Sequence, residues 1–230
     1  MPRRAPRGAL EVAHARGVTT LTLRDGDAGL VPQLHAALAD AAAEIDLDDD
    51  VRLVVLRARG RAFCRGAAET RPDGVPDGVA AIASLRVPVV ALVQGDALDE
   101  GLELALACDL RVAASAARFG LTQLDDGRLP SHGGTQRLPR GVGRGRALAM
   151  LLLGERLTAR AALDAGLVQW VCPAGELRRR GERLAAQMAS RAPIAQRLAK
   201  EALRAASDLP LAEGLGVERR LASTLRPSPR

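Results

Sequence analysis

Gly95, Asp96, Ala97, Leu98, Asp99, Glu100, Gly101, Leu102, Glu103, Leu104, Ala105, Leu106, Ala107, Cys108 and Asp109 follow one another near the middle of this 230-residue chain. A glycine-marked turn opens a helix here. Leu102, Leu104, Ala105, Leu106 and Ala107 leave that helix nearly apolar on all sides, which implies burial. Glu103 is the exception. A lone acid in such surroundings is expected to titrate above the ordinary carboxylate range, because burial disfavours the charged form, and that suits proton transfer near neutral pH. Pairing with a buried arginine is the other fate open to it.

Apolar, β-branched runs at residues 87–93 and 110–113 flank this helix as strands, and Val18–Leu23 and residues 52–57 read the same way. Between them, residues 30–45 place Leu34, Leu38, Ala41 and Ile45 at helical spacing, with Pro32 in the first turn. Residues 79–85 form a shorter helix candidate ahead of Pro88. Strands alternating with helices indicate an α/β architecture whose strand-to-helix loops carry the site. Beyond it, residues 141–153, 158–165 and 177–207 read as helical, with Pro193 dividing the last stretch, and residues 211–225 form a further helix. We therefore expect one globular unit, an α/β core over residues 1–172 followed by a helical region over 173–230, with the tail 226–230 frayed.

Composition narrows the function classes. The formal charge is +6, yet nearly all the basic residues are arginines scattered between acids, and Lys200 is the single lysine. Phe63, Phe119 and Trp170 are the only aromatic residues, so stacking platforms for single-stranded nucleic acid are missing and no nucleic-acid partner is expected. No run of about 18 apolar residues exists to span a bilayer, and the basic N-terminus leads into no signal-peptide core, so the expected location is cytoplasmic with no membrane partner. Cys64, Cys108 and Cys172 lack the spacing of a zinc site or a disulfide framework and are expected to be reduced thiols; no metal is expected. His14 and His35 lie outside every candidate motif and receive no functional weight.

Two more segments complete a pattern. Arg61, Ala62, Phe63, Cys64, Arg65, Gly66 and Ala67 follow the strand at 52–57. Later come Phe119, Gly120, Leu121, Thr122 and Gln123, then Pro130, Ser131, His132, Gly133, Gly134, Thr135, Gln136, Arg137, Leu138, Pro139 and Arg140. In this order, with residues 95–109 between them, they resemble the enoyl-CoA hydratase/isomerase (crotonase) superfamily over residues 51–172, more loosely at the N-terminal strands. The resemblance implies the ClpP/crotonase spiral of ββα units with a helical C-terminal region. It implies an oxyanion hole made by the backbone N–H groups of Ala67 and Glu100, and a catalytic carboxylate at Glu103. Cys64, Gly66, Asp99 and Gly133 are the expected substrate-binding positions.

The chain departs from the family pattern in three places. Gln123 stands where hydratases carry a second glutamate, and an amide can orient water or a substrate oxygen but cannot exchange a proton. Asp99 and Glu100 stand where glycines are usual; acids at a helix N-terminus commonly cap it and face solvent, whereas acids facing the pocket would oppose a developing enolate. The family also continues past residues 211–225 with another helical segment, so the C-terminal region reads as shortened. Ser131 matches a position where some relatives place a catalytic aspartate, and His132 beside it is a further proton-transfer candidate.

The resemblance thus implies an enzyme acting on an acyl-CoA, or on the pantetheine arm of an acyl carrier protein, through a thioester enolate. It needs no cofactor beyond the coenzyme A of the substrate. With one carboxylate, isomerase or lyase chemistry fits at least as well as hydration. A catalytically weakened acyl-CoA-binding protein or partner subunit is the alternative, and thioester hydrolysis ranks third. A homotrimer or hexamer is the assembly the resemblance implies.

Overall fold

The computed structural model describes residues 3–66 and 71–225; Ala67 and the tail 226–230 lie outside them. Its elements run β1 (Arg3–Arg7), β2 (Leu10–Ala15), β3 (Val18–Leu23), α1 (Pro32–Leu47), β4 (Leu53–Ala58), α2 (Gly78–Ser84), β5 (Val89–Val93), β6 (Ala97–Leu98), α3 (Glu100–Ala107), β7 (Leu110–Ala114) and β8 (Arg118–Gly120). After a 3-10 turn at Gln123–Asp126 come α4 (Gly134–Val142), α5 (Arg144–Leu152), β9 (Leu157–Thr158), α6 (Ala159–Asp164) and β10 (Trp170–Cys172). A second 3-10 turn leads into α7 (Leu177–Ala189), α8 (Pro193–Asp208) and α9 (Leu211–Thr224).

Seven strands form one sheet in the order β1-β2-β3-β4-β5-β7-β10. The β1–β2 and β2–β3 pairs are antiparallel, and from β3 to β10 every pair is parallel. A smaller sheet holds β6, β8 and β9, and a parallel bridge between Cys64 and Ala97 ties the segment after β4 to it. This is the wound α/β arrangement expected from the sequence.

Both faces of the large sheet are covered, which is why its parallel strands read as continuous apolar runs rather than as alternations. Val54, Leu56, Val89, Ala91 and Val93 point into the main core with Leu34, Leu38, Val79, Ile82, Leu102 and Leu104. Their neighbours Leu53, Val55, Val90 and Leu92 point the other way, against Leu177 and Ala185 of α7. Full burial of each such leucine or valine is worth about 1.5–3 kcal/mol. On the edge of β5, Lys200 of α8 is buried. Its ammonium donates to the Val87 carbonyl at 2.8 Å and pairs with Asp109 at 2.6 Å, while Asp109 also accepts the Val89 amide. None of the helices among the described residues is long and apolar enough to cross a membrane.

The structure differs from the sequence expectations mainly at boundaries. The helix expected at 141–153 is α5 preceded by the last two residues of α4, which begins at Gly134, well ahead of the expected start; Gly143, at a φ of 80°, separates the two helices. Thr158, expected inside a helix, instead caps α6 by accepting the Ala161 amide. The strands β1, β2, β6, β8, β9 and β10 were not anticipated; several are only two or three residues long and too short to show a period.

Candidate active site

Helix α3 is placed from below and from the side. Gly101 packs so closely on the segment after β4 that an added Cβ would stand 1.9 Å from the Cys64 carbonyl oxygen, so only glycine fits. At the other end, Arg111 donates to the carbonyls of Ala105 and Cys108, a cation at the negative end of the helix dipole. The helix is thereby fixed along its axis, and Glu103 with it.

Glu103 has no exposed surface. One carboxylate oxygen, Oε1, accepts the backbone amides of His132 and Gly134, each at 2.7 Å. The other, Oε2, faces the Gln123 amide nitrogen at 3.4 Å. Burial pushes the acid above its usual range; the Gly134 and His132 amides and the His132 ring pull the other way, and Glu100 adds to the rise. Glu103 pairs with no arginine among the described residues, so the expectation of a raised acid, rather than an ion pair, describes its surroundings. Gln123 is also buried, and its Oε1 has no hydrogen-bond partner among the described residues. A buried acceptor without a donor costs about 1–3 kcal/mol.

The acidic turn ahead of α3 neither faces solvent nor caps the helix, contrary to the commoner fate of acids there. Asp99 adopts a φ of 53° and its carboxylate accepts the Thr122 amide at 2.5 Å and the Thr122 hydroxyl at 3.1 Å, fastening the turn to the segment after β8. Its own side chain makes no cap bond to α3. Glu100 is buried, and its Oε1 pairs with Arg128 at 3.1 Å. A Cβ on Gly66 would meet Glu100 Oε2 at 2.6 Å and the Asp99 Cβ at 2.7 Å, so Gly66 lies directly against the start of α3. The guanidinium of Arg128 offsets the charge that Glu100 brings to this end of the helix.

The other expected positions are distributed unevenly. The Cys64 side chain belongs to the hydrophobic core, and burial, with Glu100 adding, pushes its thiol up to about 12, so this side chain stays a thiol inside the protein. Ser131 is exposed. Gly133, at a φ of 98°, turns the chain into α4 and so aims the Gly134 amide at Glu103. Asp125 and Asp126 are exposed.

His132 is neither a surface residue nor a helix cap. Its ring is buried, its Nδ1 lies 3.0 Å from Asp77 Oδ2, and it packs on the ring of His35 with centroids 4.8 Å apart. Asp77 is the cap of α2, where its Oδ1 accepts the amides of Val79 and Ala80. Burial works against the Asp77 anion, but the Ala80 amide and His132 outweigh it and hold the acid below its usual range. His35 accepts the Gly78 amide at Nδ1, 3.1 Å away, and is depressed to about 4, first by burial and then by His132. One donor atom from each of His35, Asp77 and His132 lies within 4.8 Å of the others, a spacing open to a metal ion. As they stand, the Gly78 amide occupies His35 Nδ1 and the α2 amides occupy Asp77 Oδ1, so the three form a hydrogen-bonded cluster. Sequence reasoning missed Asp77 and gave His35 no weight. Asp77 carried one signal, an N-cap residue type two positions before a helix candidate. His35 carried none.

A cavity of about 360 Å³ opens next to Gly134, walled by Leu121, Leu138, Ala147, Leu148 and Leu151. It is apolar and borders the residue whose amide holds Glu103. The family model for enoyl-CoA hydratase/isomerase matches residues 14–228. This chain belongs to the enoyl-CoA hydratase/isomerase family. The Bacillus subtilis protein YngF, an enoyl-CoA hydratase/isomerase by name, is 40% identical over 190 residues, covering 77% of this chain and 73% of that protein. The 2,3-dehydroadipyl-CoA hydratase of Escherichia coli is 38% identical over 206 residues, 85% of this chain and 78% of that one. Among solved structures, an enoyl-CoA hydratase subunit from Geobacillus kaustophilus superposes with a TM-score of 0.90 at 35% identity, covering 96% of this chain and 90% of that chain. The crotonase fold expected from residues 51–172 is therefore the fold of this enoyl-CoA hydratase/isomerase family member.

Proposed function

We propose that this protein moves a double bond within an enoyl thioester, carried on coenzyme A or on a pantetheine arm, by withdrawing and returning a proton through a thioester enolate. The observation that carries this reading is the asymmetry of Glu103. Two amides pin Oε1, leaving Oε2 as the oxygen able to take a proton, and the group opposite it is the amide of Gln123 rather than a second carboxylate. Oε2 takes the proton from Cα, and the electron pair flows into the thioester carbonyl. The resulting oxyanion would be received by amide donors at Ala67 and at Glu100, the first residue of α3, where the helix dipole favours negative charge. Gln123 Oε1 accepts a hydrogen from substrate or water and orients it. We assign the acyl tail to the apolar cavity beside Gly134. Lyase chemistry through the same enolate uses the same groups, whereas hydration asks for a second proton-exchanging carboxylate. A cytoplasmic trimer or hexamer accompanies this proposal, with the exposed leucines Leu148, Leu152 and Leu153 of the α5 end as a candidate contact between copies.

The test compares isomerisation of a 3-enoyl-CoA with hydration of crotonyl-CoA by the purified protein. Isomerisation is expected to be the faster, Glu103→Gln to abolish both, and Gln123→Glu to raise hydration by about 100-fold, the usual yield of one general acid or base. Hydration that already exceeds isomerisation and is unmoved by Gln123→Glu overturns the proposal. Tight binding of thioesters with no turnover of any would instead identify an acyl-CoA-binding protein.

A further inference from the structure

We propose that His132, oriented by Asp77, is the second proton-transfer group of this site, returning a proton to the carbon skeleton after Glu103 has withdrawn one; Asp77 and His35 are positioning residues. The inference rests on the enolate reading above and supplies the proton that Gln123 cannot.

Three observations carry it. First, the backbone amide of His132 donates to Glu103 Oε1, and the His132 ring also acts electrostatically on that carboxylate, so residue and ring both lie near the base. Second, Asp77 Oδ2 accepts from Nδ1 at 3.0 Å, and Asp77 Oδ1 is already held by two amides of α2. A carboxylate anchored in this way fixes the ring's orientation and leaves Nε2 as the working nitrogen, the logic by which an aspartate prepares a histidine base. Third, the chain has three histidines, and two of them are packed together here in the interior, with His35 fixed by the Gly78 amide. Interior imidazoles are costly unless their nitrogens are used. The titratable groups that meet the His132 ring are Asp77 at the head of α2, His35 on α1 and Glu103 on α3, while Arg137 of α4 donates to the His132 carbonyl and Arg71 ahead of α2 acts on His35.

The step balances without a further reagent. Glu103 takes the Cα proton, and the C–H electron pair becomes part of the dienolate. The N–H bond of the His132 imidazolium then breaks and its proton joins Cγ, while the dienolate electrons form the Cα–Cβ double bond and restore the carbonyl. Glu103 is left protonated and His132 neutral, and a proton passing between them through water resets both. No atom is oxidised or reduced overall.

Two readouts separate the roles. Cα–H exchange of butyryl-CoA in deuterated water needs Glu103 and the oxyanion site only, whereas isomerisation of a 3-enoyl-CoA needs both groups. His132→Asn is expected to cut isomerisation about 100-fold while exchange falls less than about threefold. Asp77→Asn keeps an oxygen for the α2 cap but no longer holds the imidazole through a full carboxylate charge; it is expected to lower kcat about tenfold with KM unmoved. If exchange and isomerisation fall together in both variants, the cluster is only a prop for Glu103 and the proposal is overturned. It is equally overturned if neither falls. Failure of the unsubstituted protein to exchange the Cα proton would instead defeat the enolate reading itself.

Discussion

Glu103 keeps both amides on one oxygen whether it is an anion, an acid or an amide, and this makes Glu103→Gln a clean probe of its charge. Because burial raises the folded-state pKa above the unfolded glutamate value of about 4.3, the folded protein holds on to a proton that the unfolded chain gives up. The stabilising contribution is complete below the unfolded value and is lost as pH rises through the folded one. Glu103→Gln has no such loss. Its melting temperature is therefore expected to gain on that of the unsubstituted protein as pH climbs from 4 to 8, which calorimetry at several pH values would show; a constant gap would mean that Glu103 is not desolvated. This residue was legible in the sequence because the apolar run around it announces burial by itself. Asp77 and His35 were not, since their meeting with His132 spans 55 positions along the chain in one case and depends on how α1 and α2 pack in the other. The fate of Asp99 and Glu100 was also hidden: partners at Thr122 and Arg128 arrive from a loop that no periodicity describes.

At the scale of elements, α1 and α2 meet through His35, whose Nδ1 accepts the first amide of α2. With a folded-state pKa of about 4 against about 6.5 when unfolded, His35 is neutral in the folded protein over a range where the unfolded chain binds a proton. Stability is thus present above the unfolded value and is lost as pH falls from about 6.5 toward 4. Urea unfolding at pH 7 and pH 4.5 is expected to show a smaller acid loss for His35→Asn, whose side-chain oxygen can still accept the Gly78 amide. An unchanged loss would place the acid sensitivity elsewhere. The long helices and buried strands were readable because they repeat a period over many residues. The break at Gly143 and the two-residue strands of the small sheet were not, since they follow from a positive φ and from pairing between distant segments.

For the molecule as a whole, the family fold positions Glu103 between a buried sheet-and-helix core and an apolar cavity whose far wall is α5. Ala147 is the small residue on that wall. Ala147→Phe is expected to lower kcat/KM for acyl groups of eight or more carbons by at least about tenfold, the effect of one or two lost apolar contacts, while four-carbon substrates are spared. Equal losses at both lengths would move the acyl tail out of this cavity. Nothing in the linear sequence marked the cavity, because its walls come from the segment after β8, from α4 and from α5 together. Lys200 carries a last consequence, for chemistry performed on the protein rather than by it. It is the only lysine of the chain, and it lies under α8 with its ammonium on Val87 and Asp109. Acylating reagents that seek side-chain amines should therefore find no lysine on the folded surface. The rate at which such a reagent modifies Lys200 becomes a clock for the lifting of α8 from the sheet edge, readable by mass spectrometry without any engineered probe.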